Sequence, residues 1–119
     1  MKHAVTLALV ATTLTVSLPA AAQFQKSEDA VKYRQSALSL MGTHFSRLGA
    51  MANGRVPFDA KVAQDNAALV ESLSKLPWAG FTADSAKLKS KAKPAIWQDE
   101  AKFKQASETM MAEVAKLFA

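Results

Sequence analysis

The sequence contains no cysteine among its 119 residues. Disulfide bonds are therefore excluded, and so is thiolate ligation of a metal ion. Histidine is nearly as scarce, with His3 near the start and His44 further along. A single histidine in the body of the chain, without a second ligand at metal-binding spacing, is a weak metal signal. We expect no metal ligand among the side chains and a structural role for His44.

Catalytic motifs are also missing. The sequence has no G-x-S-x-G motif, no glycine-rich phosphate loop and no pair of acids on the predicted inner helical faces. Each of these patterns places the groups that acyl transfer, phosphate binding or general acid–base catalysis requires. We therefore expect no enzymatic activity and no catalytic residue.

The first 22 residues have the pattern of a Sec-type signal peptide. Lys2 precedes an apolar run over residues 4–18, which Pro19 and three alanines follow. The run is too short for a membrane span, and its A-x-A end predicts cleavage after Ala22. We therefore expect export to the periplasm, no membrane segment after cleavage, and one domain over residues 23–119.

Acidic side chains are fewer than basic ones, ten against fifteen, and the formal net charge is +5. The excess is mild and no aromatic–basic stacking motif accompanies it, so we expect no binding of nucleic acid. Such a charge would favour an acidic protein partner. We interpret a run of four lysines as solvated surface: Lys87, Lys89, Lys91 and Lys93.

Apolar residues recur at helical spacing in three segments, and no segment alternates like a strand. The first helix is predicted over residues 27–53 with Ser27 as N-cap, the second over 59–76 with Asp59 as N-cap, and the third from near Asp99 to the C-terminus. The predicted inner faces are Val31, Arg34, Leu38, Met41, Phe45 and Leu48, then Val62, Asn66, Leu69, Leu73 and Leu76, then Phe103, Ala106, Met110, Val114 and Leu117. The predicted fold class is all-α, an antiparallel up-and-down bundle.

Arg34 is the one charged residue in these inner faces. A buried arginine without a counter-charge costs several kcal/mol, because its charge cannot be shed. Arg34 would therefore snorkel to water, pair with an acid of a neighbouring helix, or face an anion bound between the helices. Spacing alone does not choose between these interpretations. In the irregular segment 77–94, Trp78 and Phe81 are expected to cover either core or cofactor.

The segment QFQKSEDAVKYRQSALSLMGTHFSRLGAM, with KLPWAGF, PAIW and FKQASETMMAEVAKL after it, resembles the cytochrome c prime family of periplasmic four-helix-bundle haem proteins. The resemblance covers residues 23–119. It implies haem c as cofactor, and electron transfer or binding of gases such as nitric oxide and carbon monoxide. It also implies periplasmic redox partner proteins and a possible homodimer.

The resemblance implies roles for five residues. Arg34 resembles the arginine that approaches a haem propionate, with Gln35 beside it. Leu38 resembles the aliphatic residue that covers the distal haem face, and since leucine has no donor atom it implies five-coordinate iron. Trp78 and Phe81 resemble the loop aromatics that line the haem pocket.

The sequence departs from the family at the attachment site. The family attaches haem through C-x-x-C-H on the fourth helix, and this chain has neither the motif nor any cysteine. Covalent attachment is therefore not possible in the chain as written, and only the first three helices are expected in it. We interpret the sequence as a truncated form. The alternative is a haem-free periplasmic helical module that acts as an adaptor or in protein interaction.

Overall fold

The structure, a computed structural model, describes residues 23–119, so the predicted signal peptide lies outside the described residues. The helices are α1 (Ser27–Ala52), α2 (Ala60–Leu73), the short α3 (Ala95–Gln98) and α4 (Glu100–Phe118). Two 3-10 turns, Pro77–Gly80 and Asp84–Lys87, lie between α2 and α3. Residues 23–119 contain no strand, and the all-α fold class is confirmed. None of the described helices has the length and apolar character that a membrane crossing needs.

One of the two predicted helix caps, Asp59, is confirmed, and Asp99, near which the third helix was predicted to start, also proves to be a cap. The Asp59 carboxylate accepts the Val62 N–H at 3.0 Å, and the Asp99 carboxylate accepts the Lys102 N–H at 3.2 Å. The prediction for Ser27 is wrong, because Ser27 is already the first helical residue of α1 and Lys26 occupies the cap position. The Ser27 hydroxyl instead lies 3.4 Å from the carboxylate of its neighbour in the first turn.

The end of α2 comes at Leu73, three residues before the predicted end. The next residue, Ser74, donates its hydroxyl to the Glu71 carbonyl at 2.7 Å. That carbonyl is one of those that the last helical turn leaves without a backbone partner. The chain then enters the 3-10 turn at Pro77, whose ring cannot continue an α-helix.

Helix α2 is the centre of the bundle. It packs against both α1 and α4, whereas α1 and α4 barely touch each other. The packing of α1 on α2 is antiparallel, because His44 in the middle of α1 contacts Asn66 in the middle of α2, and Arg34 near the start of α1 contacts Gly80 beyond the end of α2. A groove therefore remains between α1 and α4.

The inner faces are partly different from those predicted. In α1 the buried residues are Ala30, Val31, Arg34, Ala37 and Met51, while Leu38 is 39% and Phe45 56% exposed. In α2 the buried residues are Asn66, Ala67 and Val70, while Val62 and Leu69 are exposed, as is Leu76 beyond the end of the helix. The apolar face of each helix is wider than the area that one neighbouring helix covers. The residues along one side of that face are therefore buried, and those along the other side remain exposed to solvent.

His44 links α1 to α2, in keeping with the structural role that we expected. The Asn66 amide nitrogen donates to the Val62 carbonyl at 2.8 Å, which leaves its oxygen to accept from His44 Nδ1 at 2.9 Å. Asn66 is 5% exposed, so its amide needs both partners. No group of three or more potential metal-ligating side chains occurs in residues 23–119.

Gly80 allows the first 3-10 turn to pack directly on α1. A Cβ atom at this position would lie 2.7 Å from the Ala30 carbonyl oxygen and 2.7 Å from the Arg34 Cβ atom. The first of these atoms belongs to the backbone of α1 and has no freedom to move aside. The close approach also brings the Gly80 carbonyl within reach of the Arg34 guanidinium, at 2.9 Å.

We expect Gly80→Ala to destabilise the protein by about 1–3 kcal/mol, because the added methyl group overpacks the contact with α1. Gly42→Ala is the control, since nothing lies within 4 Å of a Cβ atom at Gly42 and alanine favours a helix interior. Urea unfolding followed by far-UV circular dichroism measures both. Equal stabilities for Gly80→Ala and the parent would show that the turn does not pack as described.

Candidate functional site

A pocket of about 1120 Å³ fills the groove between α1 and α4. This volume is at the upper end of the range for small-molecule and cofactor sites. Its walls come from the first half of α1, the segment from Lys89 to Ile96, and the first two turns of α4. The apolar lining residues are Leu38, Phe81, Ala92, Ala95, Ile96, Phe103 and Ala106.

Arg34 lies at the inner end of this pocket and is 2% exposed. Its NH1 nitrogen donates to the Gly80 carbonyl at 2.9 Å and to the Ser85 hydroxyl at 2.7 Å. Its NH2 nitrogen donates to the Ser90 hydroxyl at 3.2 Å. These bonds use three of the five N–H donors of a guanidinium, and the other two have no acceptor in the described part of the chain.

Two aromatic rings pack against the Arg34 guanidinium. Its central carbon lies 4.7 Å from the centre of the Phe81 ring and 5.5 Å from that of Trp97. The Trp97 indole is fixed in turn, because its N–H lies 3.3 Å from the Phe81 carbonyl and 3.1 Å from the Thr82 carbonyl. Cation–π attraction contributes about 0.5–2 kcal/mol at such sites.

No carboxylate neutralises Arg34. The ion pairs found between residues 23 and 119 involve lysines only, and none includes this side chain. Burial lowers the pKa of the Arg34 guanidinium, although an arginine stays protonated in proteins. Charge-assisted hydrogen bonds, at about 1.5–3 kcal/mol each, offset the burial of the charge but leave it without a counter-charge. The inner end of the pocket is therefore a site that favours an anion.

The structure brings together four of the five residues predicted for the site. Arg34, Gln35, Leu38 and Phe81 all line the large pocket. Trp78 does not line it, because it lies behind Phe81, with the two ring centres 6.2 Å apart and the planes nearly parallel. The Trp78 indole N–H donates to the Ser74 carbonyl at 2.7 Å, so this ring is fixed to the end of α2.

Several residues of the site were not predicted. Ser85 and Ser90 accept hydrogen bonds from Arg34, Trp97 contacts its guanidinium, and Phe103 meets the Phe81 ring at 4.9 Å. Phe103 had a signal, since it belongs to the predicted inner face of the last helix. Ser85 and Ser90 gave no such signal in the sequence, because serines in an irregular segment usually form hydrogen bonds with nearby backbone or with water.

The sequence matches a known protein family over most of its length. The profile of the family Cytochrome C' matches residues 29–119. The cytochrome c' of Rubrivivax gelatinosus is 53% identical over 96 residues, which cover 80% of this chain and 74% of that protein. The cytochrome c' of Alcaligenes xylosoxydans xylosoxydans is 44% identical over 97 residues, 82% of this chain and 75% of that one. The chain belongs to the cytochrome c' family.

Solved structures of cytochrome c' agree with the fold. The Rubrivivax gelatinosus structure superposes with a TM-score of 0.78 at 52% identity, covering 81% of this chain and 76% of that one. Cytochrome c prime from Shewanella frigidimarina gives 0.75 at 40% identity, with 77% and 72% covered. A variant of the Alcaligenes xylosoxidans cytochrome c prime, solved as a nitrosyl complex, gives 0.74 at 43% identity, with 80% and 74% covered.

The cytochrome c' family binds haem c, so the pocket can be tested for its fit to haem. Its volume, its apolar walls and the unneutralised cation at its inner end suit a flat apolar ring that carries carboxylates. The lining residues include no histidine, cysteine or methionine that could ligate iron. The 119 residues contain no cysteine, so none of them forms the thioether bonds of haem c.

The link between Ser85 and Arg34 gives a testable prediction. We expect Ser85→Ala to cost about 1–3 kcal/mol, because the buried guanidinium loses an acceptor. Ser74→Ala is a matched control, since Ser74 is as buried as Ser85 and also donates at 2.7 Å to the carbonyl three residues earlier, but contacts no charge.

Urea unfolding of both variants, alone and combined with Arg34→Met, forms a double-mutant cycle. Ser85→Ala should couple to Arg34→Met by about 1 kcal/mol or more, and Ser74→Ala should not couple. Equal costs and no coupling for the two serines would show that Ser85 does not stabilise the buried charge.

Proposed function

We propose that this chain forms the haem-enclosing part of a periplasmic cytochrome that transfers single electrons or binds diatomic gases. The observation that carries the proposal is Arg34, a buried cation without a carboxylate partner at the inner end of a large apolar pocket. When bound, haem iron supplies a one-electron couple and a coordination position for a gas. The nitrosyl complex of the Alcaligenes protein supports the gas-binding part of this proposal.

In this proposal each lining residue has one task. Arg34 donates its remaining N–H groups to a haem propionate, and Gln35, the next residue of α1, which also lines the pocket, contacts the carboxylates. Phe81 packs on the ring, and Trp78 holds Phe81 in place from behind. Leu38 covers the face of the ring nearest α1, where it excludes water.

Leu38 also bears on iron coordination. A leucine side chain has no donor atom, so the face that it covers keeps an open coordination position. With its one axial ligand supplied from outside the pocket-lining residues described above, the iron would then be five-coordinate, and we propose that it binds small uncharged gases rather than larger ligands. Leu38 lines the pocket and is 39% exposed, so part of its surface is free for contact with a bound ring.

Export and self-association complete the proposal. The Sec-type pattern of the first 22 residues supports export to the periplasm, where redox partner proteins would meet the protein. We also propose a homodimer, since large apolar side chains remain exposed on α1 and α2, among them Leu40 at 52% and Val62 at 44%. Sedimentation velocity over a range of concentrations tests this, and a monomer at every concentration would contradict it.

The alternative, a haem-free adaptor module, finds no support in the comparisons, because each protein reported above is a cytochrome c'. The exposed apolar residues do not favour it specifically, since a homodimer accounts for them equally well. The buried cation favours a ligand with carboxylates instead.

Addition of hemin to the protein tests the proposed pocket. We expect a red-shifted Soret band on binding, and about ten- to a hundredfold weaker binding to Arg34→Met, because a charge-assisted hydrogen bond is lost. Arg47→Met is the control, since this arginine of the same helix is exposed and does not line the pocket. Hemin dimethyl ester should bind the parent and Arg34→Met with equal affinity, because its carboxylates are blocked.

Equal affinities of the parent and Arg34→Met for hemin would show that Arg34 does not bind the hemin carboxylates. In a form of the protein to which a fourth helix with the family's C-x-x-C-H motif is joined, the motif histidine supplies one axial ligand, and Leu38→Met should shift the spectrum toward six-coordinate low-spin iron because it adds a thioether donor. In the ferrous state of the same form, Leu38→Ala should raise the affinity for carbon monoxide by opening the same face. If both variants matched the parent in spectrum and gas affinity, Leu38 would not cover the iron.

A further inference from the structure

The open side of the pocket is surrounded by lysines. Lys89, Lys91 and Lys93 reach it from the segment before α3, and Lys102 reaches it from the first turn of α4. We call these four residues the basic rim. The only acid that lines the same pocket is Asp99, whose carboxylate is engaged as the N-cap of α4.

The charges of the basic rim are not neutralised within the protein. Residues 23–119 form ion pairs through four other lysines, namely Lys61, Lys75, Lys104 and Lys116. All four rim lysines are exposed. Their ammonium groups therefore keep their full charge toward the surroundings.

The basic rim concentrates the net charge of the described protein at one place. Residues 23–119 contain fourteen basic and ten acidic side chains. The pocket with its rim has five basic groups, counting Arg34, and one acidic group. It thus accounts for the whole basic excess, and the rest of the surface is balanced. A run of lysines is usually only solvated surface, but a charge localised in this way steers and orients an approaching partner.

The dimensions of the rim indicate what would bind there. From Lys89 to Lys93 the extended chain spans at most about 14 Å. Lysine ammonium groups are strongly hydrated point charges on flexible stems, unlike the planar fork with which arginine clamps one small anion. Charges of this kind, spread along the rim, match several carboxylates on a protein surface better than a single ion.

We propose that the basic rim is the docking surface for an acidic protein partner, which meets the pocket at its open side. The proposal rests on the proposed function for its purpose, because docking there would bring a redox partner to the haem edge. The docking itself requires only the charges of the rim. Association should be fast at low ionic strength and weaken steeply as salt is added.

A labelled deca-glutamate peptide is a suitable probe, and fluorescence anisotropy of the full chain without hemin measures its binding. We expect Lys91→Gln/Lys93→Gln to weaken binding about tenfold at low salt. Arg47→Gln/Arg55→Gln is the matched control, since it removes the same net charge from exposed positions outside the pocket, and it should change the affinity less than about twofold. All four positions are exposed, so folding should be preserved in both variants.

Three results would overturn the proposal: equal losses in the two variants, no binding of the peptide at low salt, or displacement by inorganic phosphate beyond that by chloride at equal ionic strength. Binding to anionic lipid vesicles that depends on the same lysines and is tighter than peptide binding would assign the rim to a membrane instead. Because hemin is absent, failure here leaves the haem proposal intact. If the protein bound the peptide but not hemin, the docking surface would stand, and its proposed role in electron transfer would be contradicted.

Discussion

The buried guanidinium of Arg34 is the constraint on which the site depends. The charge cannot be shed, so the surrounding chain supplies acceptors from a 3-10 turn and two loop serines, and aromatic faces from Phe81 and Trp97. These contacts tie the long segment between α2 and α3, with its two 3-10 turns, to α1. They also explain why Gly80 lies directly on α1, since a side chain there would separate the carbonyl from the guanidinium. The described residues place no negative charge against this guanidinium, whereas a haem carboxylate would supply one.

The open groove is the second determinant of function. Helix α2 packs on both of its long neighbours, and the faces of α1 and α4 that do not touch each other form the walls of the pocket. This arrangement leaves Leu38 and Ala106 exposed although their spacing is that of core residues. Arg34 at the inner end and the lysines of the basic rim make both ends of the groove positive, which suits an anionic cofactor within it and an acidic partner outside it.

Much of this fold could be predicted from the sequence, because the 3–4 spacing of apolar residues, the Asp59 cap and Pro77 are local signals. Arg34 was identified for the same reason, as a charge that interrupts a periodic face. The exact inner faces could not be predicted: in α1, Ala37 is buried and Leu38 exposed, which depends on where α2 packs rather than on hydrophobicity. Ser85 and Ser90 could not be predicted either. They lie 51 and 56 residues after Arg34 in the sequence, and only the folded loop brings them into contact with it. Three of the four lysines of the basic rim were visible as part of a lysine run, but their position at a pocket, with Lys102 beside them, was not.

The most direct test of the central claim is nitrogen–proton NMR of the Arg34 side chain during addition of zinc protoporphyrin, a diamagnetic analogue of haem. If a porphyrin carboxylate accepts from this guanidinium, the Arg34 side-chain signals should shift and exchange more slowly with solvent as the complex forms. The dimethyl ester of the same porphyrin should bind without this change. Unchanged Arg34 signals in a complex that has formed with the free acid would contradict the account.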